Sequence, residues 1–263
     1  MQAPCGLVTL LTDFGLAEPF VGVMKGVLYA ADPKLRVLDI THGIGPGAIG
    51  EGAFWLERSF RYFPLGSVHC AVVDPGVGSA RAAVVVAAER HFFIGPDNGL
   101  LAEVTLRAAH VEARAIDFEQ HGLAPSRTFH GRDVFAVMAG RLAARRLAFS
   151  DVGQLVQLQA PSPIPGIVSE ADGFAGNVIT IDRFGNLITS LRTSEVLAAT
   201  DSRFRLQIAG QTLRSVHTFA EAEPGELVAL VGGFDAIEVA VRDGSAAVRL
   251  RLLPGASVKL FPS

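Results

Sequence analysis

The sequence predicts an α/β chain in two parts: a doubly wound, largely parallel sheet domain, then a smaller antiparallel β-barrel-like domain. Three observations predict it. Short apolar runs alternate with segments of helical spacing as far as residue 146. A Pro-rich stretch, QAPSPIPG at 159–166, then interrupts the pattern. Beyond it come short alternating strands at close spacing, the grammar of a small barrel or sandwich. The expected domains are therefore 1–160 and 166–263.

In chain order, GLVTLLT (6–12) is bounded by Gly and Asp and reads as a buried strand. PFVGVMKGVLYAADP (19–33) has helical spacing, with Pro near its start and Pro after its end. LRVLDI (35–40) is a strand and GAIGEGAFWLERSFRYF (47–63) an amphipathic helix. SVHCAVV (67–73), AAVVVAAE (82–89) and HFFIG (91–95) are strands, LLAEVTLRAA (100–109) a helix, VEARAID (111–117) a strand and RDVFAVMAGRLAARR (132–146) a long helix. In the second part NVITID, NLITSL, RFRLQIAG, ELVALVG, AIEVAVR, AAVRLRLL (246–253) and ASVKLF are expected as strands, with one short helix at TSEVLAA (193–199).

Bulk properties narrow the function. Hydrophobic residues make up 49% and charged residues 19%, so a sizeable core is expected and disorder is not. A net charge of −3, with no long run of either sign, argues against a nucleic-acid groove or a polybasic membrane contact. Two cysteines, Cys5 and Cys70, indicate neither a disulfide framework nor a thiolate metal site, and a reducing cytoplasm fits best. Cys5 follows small residues as in a lipoprotein signal, but no basic, apolar stretch precedes it. No segment approaches the roughly 20 unbroken apolar residues of a membrane-spanning helix.

In a doubly wound sheet, ligands bind beyond the carboxyl ends of the strands. TDFG (12–15), DITHG (39–43), VDPGVG (73–78) and GPDNG (95–99) all follow expected strands, so Asp13, Asp74, Asp97 and Asn98 are expected to face one crevice. Taken singly, each has an ordinary reading as a cap or turn residue. Together, beside glycines that let backbone approach a ligand, they point to a site. His130, in TFHGRDVF, and Arg81, seven residues after Asp74, have the same two readings. DITH and FHGRD lack the spacing of a metal loop, and DPGVG lacks the lysine of a phosphate loop. In IDRFGNLITS (181–190), Gly185 and Asn186 suit a hairpin turn; alternatively Phe184 offers a face for an aromatic ring and Asn186 an amide for a base edge.

In this order, TDFG, VDPGVGSAR, PDNGLL, TFHGRDVF and IDRFGNLITS resemble the S-adenosyl-L-methionine hydroxide adenosyltransferases, hydrolytic relatives of fluorinase and chlorinase. The resemblance covers nearly the whole chain. It implies a water-activating trio of Asp74, Arg81 and His130, with Asp13 on the ribose diol, Asp182 on the methionine amine, Asn186 on the adenine edge and Phe184 beside it. Asn98 joins the substrate-binding set from the expected crevice. It further implies a homotrimer with sites between subunits, a small-molecule substrate, and no metal or redox cofactor. Two positions depart from the family pattern. Glu18 stands near the place of a second Asp, and Gly232 and Gly233 replace an Asn-Ser pair expected at the methionine carboxylate. Three competing readings accompany this one: a halide adenosyltransferase, a non-catalytic adenosine or S-adenosylmethionine sensor, and a metal-dependent phosphohydrolase.

Overall fold

A computed structural model describes residues 2–196 and 203–262. The chain divides into two compact units, Met1–Pro163 and Ile164–Ser263. The first contains β1 (Leu7–Thr12), α1 (Phe20–Ala31), β2 (Arg36–Thr41), α2 (Ile49–Ser59), β3 (Val68–Val72), β4 (Ala83–Ala88), β5 (His91–Pro96), α3 (Ala102–Leu106) and β6 (Val111–Ala115). A π-helical stretch, Gly131–Ala136, then runs directly into α4 (Val137–Ala143), and β7 (Leu155–Val156) completes the unit.

Seven strands form one sheet in the order β2-β1-β3-β5-β4-β6-β7. β2, β1, β3 and β5 run parallel, and this half carries the candidate site. β4 is antiparallel to β5 because only Glu89 and Arg90 connect them, both with positive φ (48° and 66°), as a tight hairpin requires. Every residue of β1, β3, β4 and β5 is buried. The reason is that both faces are covered. Val8, Leu10 and Val72 pack with Met24 and Leu28 of α1 and Met138 and Leu142 of α4. On the other face, Leu11, Ala71 and Val73 pack with Leu56 of α2 and Val104 of α3. Burying each such side chain contributes about 1.5–3 kcal/mol.

The second unit contains β8 (Val168–Glu170), β9 (Gly173–Ile181), β10 (Leu187–Thr189), α5 (Thr193–Val196), β11 (Phe204–Ile208), β12 (Gln211–Val216), β13 (Leu227–Val231), β14 (Ile237–Val241), α6 (Ala246–Leu250) and β15 (Ser257–Pro262). Seven strands close into a barrel, β10-β14-β13-β12-β11-β15-β9, sealed by the β9–β10 pairing, with β8 added beside β9. All neighbours in the ring are antiparallel except β12 and β13. Val178, Leu206, Val239 and Leu260 are among the residues filling the interior. A separate small cluster gathers Val216, Ala222, Val228, Leu230 and Ala240.

The fold differs from the sequence reading in places. AAVRLRLL is not a strand: Ser245 caps α6 by accepting a hydrogen bond from the Val248 N–H at 3.2 Å, and Arg251 ends it in the left-handed conformation (φ 55°). β12 was not expected, because Gln211, Thr212 and Arg214 mask its alternation. The helix expected at 193–199 is present at Thr193–Val196, and 197–199 lie outside the described residues. The 132–146 helix begins with the π-helical stretch instead of regular α turns. Among the described residues no helix is long and apolar enough to cross a membrane.

Candidate active site

β1 ends at Thr12 and β3 at Val72, so Asp13 and Asp74 emerge from the carboxyl edges of two adjacent parallel strands. Between them lies a cavity of about 300 Å³ whose wall includes Asp13, Phe14, Phe20, Asp74, Phe129 and His130. Phe14, Phe20 and Phe129 meet edge to face, with centroids 5.4–5.9 Å apart, and form an aromatic wall.

The glycine-rich loop explains how Asp74 meets Arg81. Val77 N–H bonds to the Asp74 carbonyl and Ser79 N–H to the Gly76 carbonyl, folding the chain into successive turns. Gly78 has φ 80°, and a Cβ there would lie 2.5 Å from the Arg127 carbonyl oxygen, so only glycine fits. The loop thereby turns Arg81 back onto Asp74. Arg81 Nε donates to Asp74 Oδ1 at 2.8 Å and its Nη2 donates to Oδ2, a two-pronged, charge-assisted pair. The same Nη2 donates to His130 Nδ1 at 2.9 Å. The guanidinium carbon lies 5.4 Å from the centroid of the Phe135 ring. All three side chains are nearly buried.

His130 sits immediately before the π-helical stretch, the kind of local irregularity that re-aims a side chain. Its loop is fixed by Asp133, which accepts from Arg132 Nε (2.5 Å) and Nη2 (3.0 Å) and from Ser126 N–H (2.8 Å). The hydrogen bonds from Arg132, then those from Ser126, hold the Asp133 carboxyl down at about 2. Because a guanidinium only donates, His130 Nδ1 must accept, which assigns the proton of the neutral ring to Nε2. Burial, then the Arg81 charge, pushes the His130 pKa down; Asp74, Asp133 and the Ser126 backbone partly oppose them. The ring is neutral at neutral pH.

The remaining expected site residues are spread differently. Asp13 accepts the Gly47 N–H at 2.8 Å. Asp97 and Asn98 are not in the cavity wall, which corrects the expectation of one crevice for all four groups. Asp97 accepts the N–H groups of Gln159 and Ala160, and Asn98 donates to the Val73 carbonyl at 2.9 Å and accepts from Leu100 N–H. Asn98 thus braces the residue before Asp74. Glu18 is exposed and outside the wall.

In the barrel, Asp182 Oδ1 accepts the N–H groups of Phe184 (2.9 Å) and Asn186 (2.8 Å), and Oδ2 accepts Asn186 Nδ2 (2.9 Å). Phe184 is 78% exposed at the tip of this turn. A Cβ at Gly232 would collide with the Glu238 carboxylate, so Glu238 fills the space beside that glycine. Burial, then the Asp182 charge, raises the Glu238 pKa to about 7. Glu238 was missed because one acid in an apolar strand carries no motif; the aromatic wall was signalled only by Phe beside Asp13 and His130. Among the described residues no three His, Cys, Asp or Glu side chains gather as metal ligands would.

Comparison with known proteins bears on this geometry. Residues 8–153 match the SAM hydroxide adenosyltransferase N-terminal domain and residues 176–259 the C-terminal domain. The chain is 40% identical over 262 residues to a Salinispora tropica protein named (R)-S-adenosyl-L-methionine hydrolase, covering 97% of each. A fluorinase from an Actinoplanes species is more distant, 26% identical over 252 residues, covering 82% of this chain and 84% of the relative. The crystal structure of an uncharacterized conserved protein from Thermotoga maritima superposes with a TM-score of 0.88 at 30% identity, covering 97% of this chain and 99% of that one. Matches to both domain models, in order and over most of the chain, show that it belongs to the SAM hydroxide adenosyltransferase family.

Proposed function

We propose that this chain is an enzyme that hydrolyses S-adenosyl-L-methionine to adenosine and L-methionine. The observation that carries this reading is the interlocked Asp74–Arg81–His130 trio with two members facing the cavity. Water attacks ribose C5′, the new C–O bond forms as the C5′–S bond breaks, and the electron pair leaves on sulfur. The leaving group is a neutral thioether, so neither a general acid nor a cofactor is called for. The water's proton passes to Asp74 and then to solvent. His130, whose Nδ1 is committed to Arg81, orients the water through its Nε2–H. Arg81 stands behind both and holds them in place. Asp74 as proton acceptor favours water as nucleophile, since a halide has no proton to give up.

Asp13 holds the ribose hydroxyls, and the aromatic wall keeps bulk water from the reacting carbon. Asp182 takes the amine, helped by Glu18, while Phe184 and Asn186 take the adenine. The assembly we propose is a homotrimer in which a neighbour supplies the barrel residues. Exposed apolar side chains of the first unit, Leu16, Val23, Tyr29 and Leu38 among them, leave apolar surface for association. Two free thiols, Cys5 and Cys70, fit a reducing cytoplasm.

The test is chromatography of the purified protein with each sulfonium epimer of S-adenosylmethionine, with EDTA and in high chloride. Equimolar adenosine and methionine from the (R) epimer are expected, unaffected by EDTA. 5′-Chloro-5′-deoxyadenosine as the main product, or no turnover of either epimer, would replace this reading.

A further inference from the structure

The DITHG motif remains outside the proposed chemistry, yet it lies directly behind the site. Lys25 Nζ donates to Asp39 Oδ2 at 2.7 Å, and Asp39 Oδ1 lies 3.1 Å from His42 Nε2, off the line of an ideal hydrogen bond. His42 Nδ1 is 2.8 Å from Thr12 Oγ1, and Thr12 Oγ1 accepts the Phe14 N–H at 3.2 Å. A hydroxyl that accepts from Phe14 has its own proton free for Nδ1, which leaves the ring proton on Nε2, toward Asp39. The chain of contacts runs from a surface lysine to the two residues flanking Asp13. His42 and Thr12 are both buried.

The backbone is shaped for this contact. Along β1 and β2, Leu10 pairs with Asp39 but Leu11 pairs with Thr41, so Ile40 is an extra residue in a β-bulge. Without the bulge, Thr12 would fall opposite Thr41; with it, the register carries His42 to Thr12. The loop after β2 grips the Asp13 segment twice more, through Gly15 N–H to the His42 carbonyl (2.8 Å) and Gly47 N–H to Asp13 Oδ2 (2.8 Å).

We propose that Thr12 and His42, backed by Asp39 and Lys25, are positioning residues that set the Asp13 carboxylate for the ribose hydroxyls. The proposal rests on the ribose reading of Asp13. Calorimetry of the full chain in its native assembly, with adenosine and with 2′,3′-dideoxyadenosine, separates the two. The parent should prefer adenosine about thirtyfold, the scale of charge-assisted hydrogen bonds, and Asp13→Ala should erase the preference. Thr12→Val and His42→Phe should reduce it to about threefold with dideoxyadenosine binding unchanged. Thr12→Ser, and His42→Asn with its acceptor near the Nδ1 position, should restore most of it. A parent without any preference overturns the ribose reading, and the positioning role with it. A parent that discriminates while Thr12→Val and His42→Phe discriminate equally well, or lose both nucleosides alike, overturns the positioning role alone.

Discussion

Asp74 and Asp182 are both carboxylates just past the end of a strand, and both use each of their oxygens. Asp74 gives its oxygens to a guanidinium that also holds His130, so three chain segments are linked and the negative charge is matched in the free protein. Asp182 gives its oxygens to two backbone N–H groups and an amide within its own turn. Those donors are neutral. The turn therefore retains its negative charge, and Glu238 beside it stays partly protonated because of its own burial and, after that, this charge. The first cluster is locked in place by its own bonds, as the proposed water activation would need; the second has charge to offer an arriving cation, as the proposed methionine ammonium would be.

The largest expected effect tests the locked cluster. Asp74→Asn, Arg81→Ala and His130→Ala should each lower turnover by about two to four orders of magnitude, with much smaller changes in substrate affinity. Double variants should lose little more than single ones, because the three act as a unit. Steady-state kinetics of folded proteins decide it; near-normal turnover in Asp74→Asn would break the contrast.

The two units should also answer pH with opposite signs. Burial, then the His91 charge, depresses the His69 pKa from 6.5 to about 3. The folded first unit resists that proton, so its stability is full above pH 6.5 and declines as pH falls, by on the order of 3 kcal/mol near pH 4. Glu238 is raised instead, so it favours the folded barrel below its unfolded value of 4.5 and that contribution is lost as pH rises toward 7, by about 1–2 kcal/mol once solvent screening of this partly exposed carboxyl is counted. Hydrogen exchange resolved by unit should show opposite slopes, with His69→Asn flattening one and Glu238→Gln the other.

Asp182→Ala removes the acceptor for three hydrogen bonds and should cost the barrel about 1–3 kcal/mol in melting experiments as well as weakening substrate binding. Loss of affinity with an unchanged melting temperature would mean the turn does not depend on it. The smallest effect belongs to Phe184→Ala. At 78% exposure the ring stabilises little, so melting should shift by less than about 0.5 kcal/mol while substrate affinity falls.

The parallel half of the sheet, and the return of Arg81 toward Asp74 across a glycine turn, follow from signals local enough to read; His130, 49 residues beyond Arg81, was placed with them only through the family resemblance. Apolar runs mark the strands, and a glycine turn such as that at Gly78 returns the chain on itself. Asp97 and Asn98 were misplaced because their partners, the backbone at Gln159, Ala160, Val73 and Leu100, are set by tertiary packing, which spacing does not report. α6 was misread because Val248 and Leu250 mimic strand alternation and a single cap at Ser245 decides the matter. The bulge at Ile40 leaves no mark, since one extra residue in a strand changes register without changing composition.

A ring of seven strands has a property that no even-numbered ring shares. Walking once around it must restore the starting direction, so the number of reversals is even and one neighbouring pair is left unreversed. Here that pair is β12 and β13. Consecutive strands pointing the same way cannot be joined by a hairpin, so residues 217–226 must travel back along the barrel before β13 begins. Ala222 lies on that return path and is buried with Val216, Val228, Leu230 and Ala240, while Arg214 and Arg242 donate to the carbonyls of Glu221 and Ala222. The path is thus a requirement of parity that the chain has turned into a clasp. Trimming it to a tight turn would reverse β13 and leave the ring unable to close.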